Sequence, residues 1–200
     1  MNTVATETRK YELKARADRQ RETRERIAKA AMELHEEIGV AKTTVAEIAR
    51  RAGVSRLTVY NHFPDNSALL PACTAHYMSL HPQPDFQALF GIEDPLERVR
   101  AALRGLYAWY RETEPMTYKV FADRATVREL DDFMRQTNDR QLELLGDGLA
   151  AGFGVRGKRV DRLRALVGLA LDFWTWRRLS HTGLDDDEAA ELMTAAVRAV

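Results

Sequence analysis

The segment TTVAEIARRAGVSRLTVYNHF, residues 43–63, decides how the rest of the chain is read. Thr44 stands three residues before Glu47, the spacing of a capping box: the hydroxyl accepts an orphan backbone N–H and the carboxylate reaches back to the cap residue. Val45, Ile48 and Ala49 then recur at helical spacing, and Gly53 supplies a residue without a Cβ where the chain must turn. Ser55 caps a second, very short helix over 56–62, which Pro64 ends. Small Ala49 lets the two helices cross closely, and Val54 and Val59 face Val45 and Ile48 from within. A small residue, a turn glycine and a buried β-branched residue, in that order, predict a helix-turn-helix. Its second helix lies in a DNA major groove with its N-terminal residues at the base edges.

On that helix the chemistry divides by group. Arg56, Leu57, Thr58 and Asn61 are the base-reading candidates: arginine for guanine, asparagine for adenine, and Leu57 or the Thr58 methyl for a thymine methyl. Thr44, Ser55, Tyr60 and His62 suit phosphate, where hydroxyls, rings and helix N-termini set register without reading sequence. Packing against the first helix is the competing role for Tyr60 and His62, and a solvated surface charge is the competing role for Arg56.

Toward the N-terminus, Ile27, Ala30, Ala31, Leu34 and Ile38 follow the three-four spacing of an amphipathic helix that Gly39 ends. Residues 1–20 form a charged arm that lacks the apolar stretch of a secretory signal. Between 9 and 26 the mixed charge reads first as a solvated extension, with a reach along DNA as the alternative. Toward the C-terminus, a helix is predicted over 68–78 and a loop over 79–94, where Pro82, Pro84 and Gly91 break the periodicity. Helices are then predicted over 96–111, 118–123, 126–151, 160–180 and 186–200. No alternating strand pattern occurs, and the fold class is all-α.

The formal net charge is zero, but it is not evenly spread. Residues 1–63 hold 13 basic and 9 acidic side chains, a net +4, and the remainder holds 17 and 21, a net −4. The basic excess thus lies with the helix-turn-helix, where it steers toward phosphate. No apolar run is long enough for a membrane span, and the one cysteine, Cys73, has no disulfide partner, so a cytoplasmic protein without membrane partners is expected. Cys73 and His76, with His81 beyond, fall short of a metal-ligand set, and no nucleophile or phosphate-loop pattern appears. Neither a metal, a cofactor nor a catalytic centre is called for, and an enzyme is not expected.

The back half is rich in aromatics. Most read as core, and Tyr107, Tyr110, Phe121 and Trp174 are the candidates for lining a pocket for a small apolar or aromatic ligand. Apolar residues cover a wide arc of the helix from 160 and a stripe of the last helix. Leu166, Leu169, Phe173, Leu192, Met193 and Ala196 are therefore candidates for a homodimer interface built as a four-helix contact.

From about 21 to 70 the chain resembles the DNA-binding domain of the tetracycline-repressor (TetR) family. The likeness is carried by the helix ending in Glu37-Ile38-Gly39, the Thr43-Thr44-Val45 start, the Ala52-Gly53-Val54-Ser55 corner and the block from Thr58 to Phe63. It covers about a quarter of the chain; the rest matches in length and helical character alone. The resemblance implies a three-helix DNA-binding domain over 21–65 and a helical regulatory and dimerisation domain over 66–200. It also implies a homodimer on double-stranded DNA at a pseudo-palindromic operator, a repressor released by a small-molecule ligand. Two positions depart from the pattern: Leu57 stands where the family often has Gly or Ala, and Asn66 where it often has a phosphate-contacting lysine. The alternatives are a DNA-binding dimer without ligand input, and a helical ligand-binding protein or enzyme whose helix pair is structural.

Overall fold

Ile27, Ala30, Ala31 and Leu34 are all buried along one side of a helix, as their spacing predicts. In the computed structural model, which describes residues 3–200, that helix is α1 (Thr3–Ile38), and it takes in the charged arm without interruption. Gly39 ends it at φ 87°, donating its N–H to the His35 carbonyl at 3.0 Å. There follow α2 (Val45–Ala52), α3 (Arg56–His62) and α4 (Asn66–Leu80). Asp65 starts α4 by accepting the Ala68 N–H at 2.9 Å. Helix α4 packs on α1, so the first compact unit takes in residues 3–80, and Tyr118–Phe133 belongs to it as well. The second unit is His81–Thr117 with Met134–Val200.

The later helices differ from the predicted ones in three places. Residues 96–111 and 118–123 are one helix, α5 (Pro95–Asp123), which continues through Pro115. A proline costs one backbone hydrogen bond. Here Thr113, Met116 and Thr117 beside it are buried, and the Thr113 hydroxyl donates to the Trp109 carbonyl at 2.7 Å, so packing holds the helix together. The expected helix over 126–151 is α6 (Arg128–Met134) and α7 (Arg140–Ala151), joined by a widened π turn over Arg135–Asp139. The expected helix over 160–180 breaks into α8 (Lys158–Leu171) and α9 (Phe173–Ser180). Asp172 is extended at the break, and its carboxylate caps α9 by accepting the Thr175 N–H at 3.0 Å. The chain ends in α10 (Asp186–Arg198), begun by an Asp185–Glu188 capping box. The loop expected over 79–94 contains one 3-10 turn, Ala88–Gly91.

Within the second unit, α7 packs on α8, and α10 packs on α8 and α9. Arginines of α5 meet the acidic start of α10: Arg111 pairs with Asp186 at 2.8 Å, Arg104 with Asp187 at 3.0 Å and Arg100 with Glu191 at 2.7 Å. Most of these groups are partly solvated, so each pair adds little stability and the ladder mainly fixes the register of the two helices.

The break after α8 leaves carbonyls without helical partners, and α5 supplies them. The Tyr107 hydroxyl donates to the Ala170 carbonyl at 2.7 Å and the Tyr110 hydroxyl to the Leu171 carbonyl at 2.9 Å. Both tyrosines are fully enclosed, and burial pushes both phenol pKa values up. Tyr110 also sits edge-on to Phe173 at 5.3 Å and near Trp176 at 5.6 Å. Of the candidate pocket residues, Tyr107, Tyr110 and Trp174 lie in the second unit and Phe121 in the first. Tyr107 and Tyr110 are core, Phe121 lies in the first unit under Arg124, and Trp174 is 41% exposed on α9. The expected dimer set also divides: Phe173 and Met193 are buried in their own unit. Leu169 and Leu192 are about half exposed, and Leu166 and Ala196 are half-buried.

Removing either hydroxyl strands a buried carbonyl. Tyr107→Phe and Tyr110→Phe should each cost about 1–3 kcal/mol. A lowered denaturant midpoint at unchanged slope would register the loss. A midpoint equal to the wild type's would mean that the carbonyls need no partner.

Candidate nucleic-acid interface

Helices α2 and α3 and the corner between them are built from short-range hydrogen bonds. The Thr44 hydroxyl accepts the Glu47 N–H at 3.2 Å, and the Glu47 carboxylate accepts both the Thr44 N–H at 3.1 Å and its hydroxyl at 2.7 Å. These bonds hold the Glu47 carboxyl below its ordinary pKa. Gly53 turns the corner at φ 66°, ψ 40°, and Val54 N–H closes it onto the Ala49 carbonyl at 3.0 Å. Ser55 then accepts the Thr58 N–H at 3.0 Å and starts α3. Val59 and Phe63 turn inward and are buried.

What remains on the outside of α3 is a face, not scattered residues. Leu57 is 69% exposed and Tyr60 51%, and Arg56 and Asn61 are exposed beside them. Leu57 and Asn61 are four apart, so one stands above the other, with Tyr60 adjoining. Thr58 is half-buried, and its hydroxyl lies 2.8 Å from Ser55 Oγ. Among the phosphate candidates, Thr44 and Ser55 are exposed but engaged in capping, Tyr60 is open, and His62 is half-buried.

Three supports for this corner come from far away in the sequence. Arg24 on α1 donates to the His62 carbonyl at 2.7 Å, and its guanidinium lies 4.1 Å from the centre of the Phe63 ring. One side chain thus satisfies the end of α3 and covers its last buried ring. Arg51 on α2 makes a two-pronged contact with Glu37 at the end of α1, one prong at 2.7 Å. The last turn of α5 holds the α1–α2 corner: Lys119 donates to the Glu36 carbonyl, and the Asp123 carboxylate accepts the Ala41 N–H at 2.9 Å. A Cβ on Gly39 would stand 2.6 Å from that carboxylate, so the position is closed to larger residues by both space and φ. Mixed charge around Arg24 was the only sequence signal for any of these contacts.

His35 and Cys73 face each other beneath the same corner, Nδ1 to Sγ at 3.7 Å. Cys73 is therefore core, and among the described residues no cluster of three or more His, Cys, Asp or Glu could hold a metal ion. Burial pulls the His35 pKa down to about 4, with Asp123 opposing, and pushes the Cys73 thiol up to about 12.

This architecture has known counterparts. Residues 27–73 match the family model described as bacterial regulatory proteins, tetR family. The chain is 30% identical over 170 residues to the HTH-type transcriptional regulator BetI of Escherichia coli K12, covering 71% of this chain and 87% of that one. The chain belongs to the tetR family. It is a DNA-binding transcriptional regulator. Among solved structures, the fold is similar to NalD, the secondary repressor of the MexAB-OprM multidrug efflux pump in Pseudomonas aeruginosa. That likeness has a TM-score of 0.58 at 23% identity, over 89% of this chain and 94% of that one. It is also similar to RolR in complex with resorcinol, with a TM-score of 0.54 at 21% identity, over 92% and 90%. Among the described residues no helix is long and apolar enough to cross a membrane.

A neutral buried histidine ties the stability of this tetR-family unit to pH. In the unfolded chain His35 takes up a proton near pH 6.5, whereas in the folded unit it resists protonation down to about pH 4. Its contribution is therefore complete above about 6.5 and is lost as pH falls toward 4, by up to about 3 kcal/mol. Chemical denaturation of the wild type and His35→Leu at pH 7 and pH 4.5 measures it. The variant should lose less stability on acidification, and equal losses would remove His35 as the cause.

Proposed function

We propose that the chain acts as a homodimeric, cytoplasmic repressor. Helix α3 of each protomer enters the major groove of one half of a pseudo-palindromic operator. A small apolar or aromatic ligand, bound outside the helix-turn-helix, releases it. The observation that carries the DNA-reading part is the face of Arg56, Leu57, Tyr60 and Asn61, open to solvent on a helix whose own ends are already capped. Base choice is assigned to Arg56, Asn61, Leu57 and the Thr58 methyl; Thr44, Ser55, Tyr60 and His62 are assigned to phosphate. Ligand release is typical of the family, and RolR with resorcinol is an instance of a similar fold holding a small aromatic molecule.

Dimerisation rests on α8 and α10. Leu169 is 54% exposed and Leu192 49%, with Leu166 and Ala196 on the same helix faces. Apolar surface of that kind, on two helices that pack together, fits a symmetric four-helix contact with a second copy. Two copies would present two α3 helices to half-sites about 34 Å apart or a multiple of it.

The primary test is fluorescence anisotropy on the protein's own upstream intergenic DNA across a salt series, with Thr58→Ala and Tyr60→Ala beside the wild type. Wild-type affinity should fall steeply with salt. Tyr60→Ala removes no charge, so it should lower affinity on the order of tenfold with the salt slope unchanged. Binding that is indifferent to both substitutions would remove α3 as the reading helix. For the dimer, Leu169→Glu and Leu192→Glu should shift sedimentation to a single copy and weaken operator binding roughly 100-fold, because the second half-site no longer adds avidity. Unaltered sedimentation in both variants would move the interface elsewhere.

A further inference from the structure

Residues 64–200 carry a net charge of −4, yet the stretch RGKRVDRLR, residues 156–164, holds five basic side chains and one acidic one, a net +4. Only part of that charge is answered within the second unit. Arg164 pairs with Asp147 at 3.0 Å, and Arg159 donates its Nε–H to the Val200 carbonyl at 2.7 Å, leaving its outer N–H groups open.

Beside Arg159 the same unit holds an apolar cavity of about 220 Å³, where the starts of α5 and α8 meet the end of α10. Leu163 and Val197 form its floor, 3% and 2% exposed, and half-buried Leu96, Phe153 and Val155 stand around them. Water gains little there, because a water needs two to four polar partners and these walls are hydrocarbon. Two exposed guanidiniums, Arg159 and Arg198, line the solvent side. Arg198 makes neither an ion pair nor a hydrogen bond among the described residues. No acidic side chain lines the cavity. Three acids lie within two residues of the lining, and each is engaged or turned away. Asp94 caps α5 by accepting the Leu96 N–H at 2.8 Å, and Glu97 pairs with Arg100. Asp161 stands about 200° round α8 from Arg159. Val200 shows on a small scale what the place accepts: an apolar side chain against the cavity, its oxygen on a guanidinium.

We infer that this cavity is a binding site for a small amphipathic carboxylate. Its unbranched hydrocarbon tail lies on Leu163 and Val197, and its head meets Arg159 and Arg198, whose planar forks match a carboxylate. The cavity is smaller than the roughly 300–1,000 Å³ of sites for drug-sized molecules, so the tail is short. Leu163 and Val197 are on the inner sides of α8 and α10, whereas Leu169 and Leu192 are exposed, so the site is distinct from the proposed dimer surface. It gives the ligand of the proposed repressor a class and a place, and rests on that reading for the use of the site but not for binding itself.

The test is isothermal titration calorimetry on the full-length protein without DNA, with octanoate, 1-octanol and acetate as probes. Octanoate should bind at one per chain, roughly tenfold more tightly than 1-octanol, which keeps the tail and lacks the charge. Acetate, which keeps the charge and lacks the tail, should give no binding heat. Arg159→Gln and Arg198→Gln should each weaken octanoate roughly tenfold and leave 1-octanol unchanged. Arg198→Gln breaks no other contact, so its effect is free of any loss of fold. Val155→Trp, which fills the cavity from its edge, should abolish binding of both probes. Absence of octanoate binding, equal affinity for octanoate and 1-octanol, or octanoate binding unchanged in Arg198→Gln or in Val155→Trp overturns the proposal. No operator is present in any of these measurements, so the reading of α3 stands or falls separately.

Discussion

Seven residues make barely two turns of helix, too few to hold a helical shape in water by their own hydrogen bonds. Helix α3 nevertheless keeps Leu57, Tyr60 and Asn61 exposed on its outer side. It does so because both ends are completed by other parts of the chain. Ser55 takes up the Thr58 N–H at the start, Arg24 satisfies the His62 carbonyl at the finish, and Val59 and Phe63 tie the inner side into the core. The rest of the first unit serves this short segment. Helix α2 positions it through the Gly53 corner, α1 supplies Arg24, and the last turn of α5 braces the far side of α1 and α2 through Lys119 and Asp123.

Much of that arrangement was legible in the sequence because it is written at short spacing. A capping box needs two residues three apart, a left-handed corner needs a glycine, and a cap needs a hydroxyl before the first helical residue; 43–63 contains all three in order. The braces were not legible. His62 is 38 residues from Arg24 and Asp123 is 82 from Ala41, and nothing in either neighbourhood distinguishes these side chains from ordinary surface charges. Such contacts depend on which helices lie side by side, which local pattern does not encode.

The second unit shows the same limit in the opposite sense. Tyr107 and Tyr110 read as apolar mass available for a ligand, and their position on α5 was correctly within a helix. Their function in the fold lies in the hydroxyl groups, whose partners are carbonyls exposed by a helix break that periodicity did not reveal. The break at Asp172 and the unbroken run through Pro115 have one cause in common. Local propensity sets the price of a kink, and the surrounding packing decides whether the chain bends there.

Cys73 is the one cysteine of the chain, enclosed against His35 with its thiol held in the protonated form. Thiol reagents attack the thiolate of an accessible cysteine, so in the closed unit this group is doubly shielded. Labelling can proceed only during the moments when α4 lifts from α1. The rate of modification is therefore a clock for opening of the reading head, carried in the natural sequence without any introduced probe.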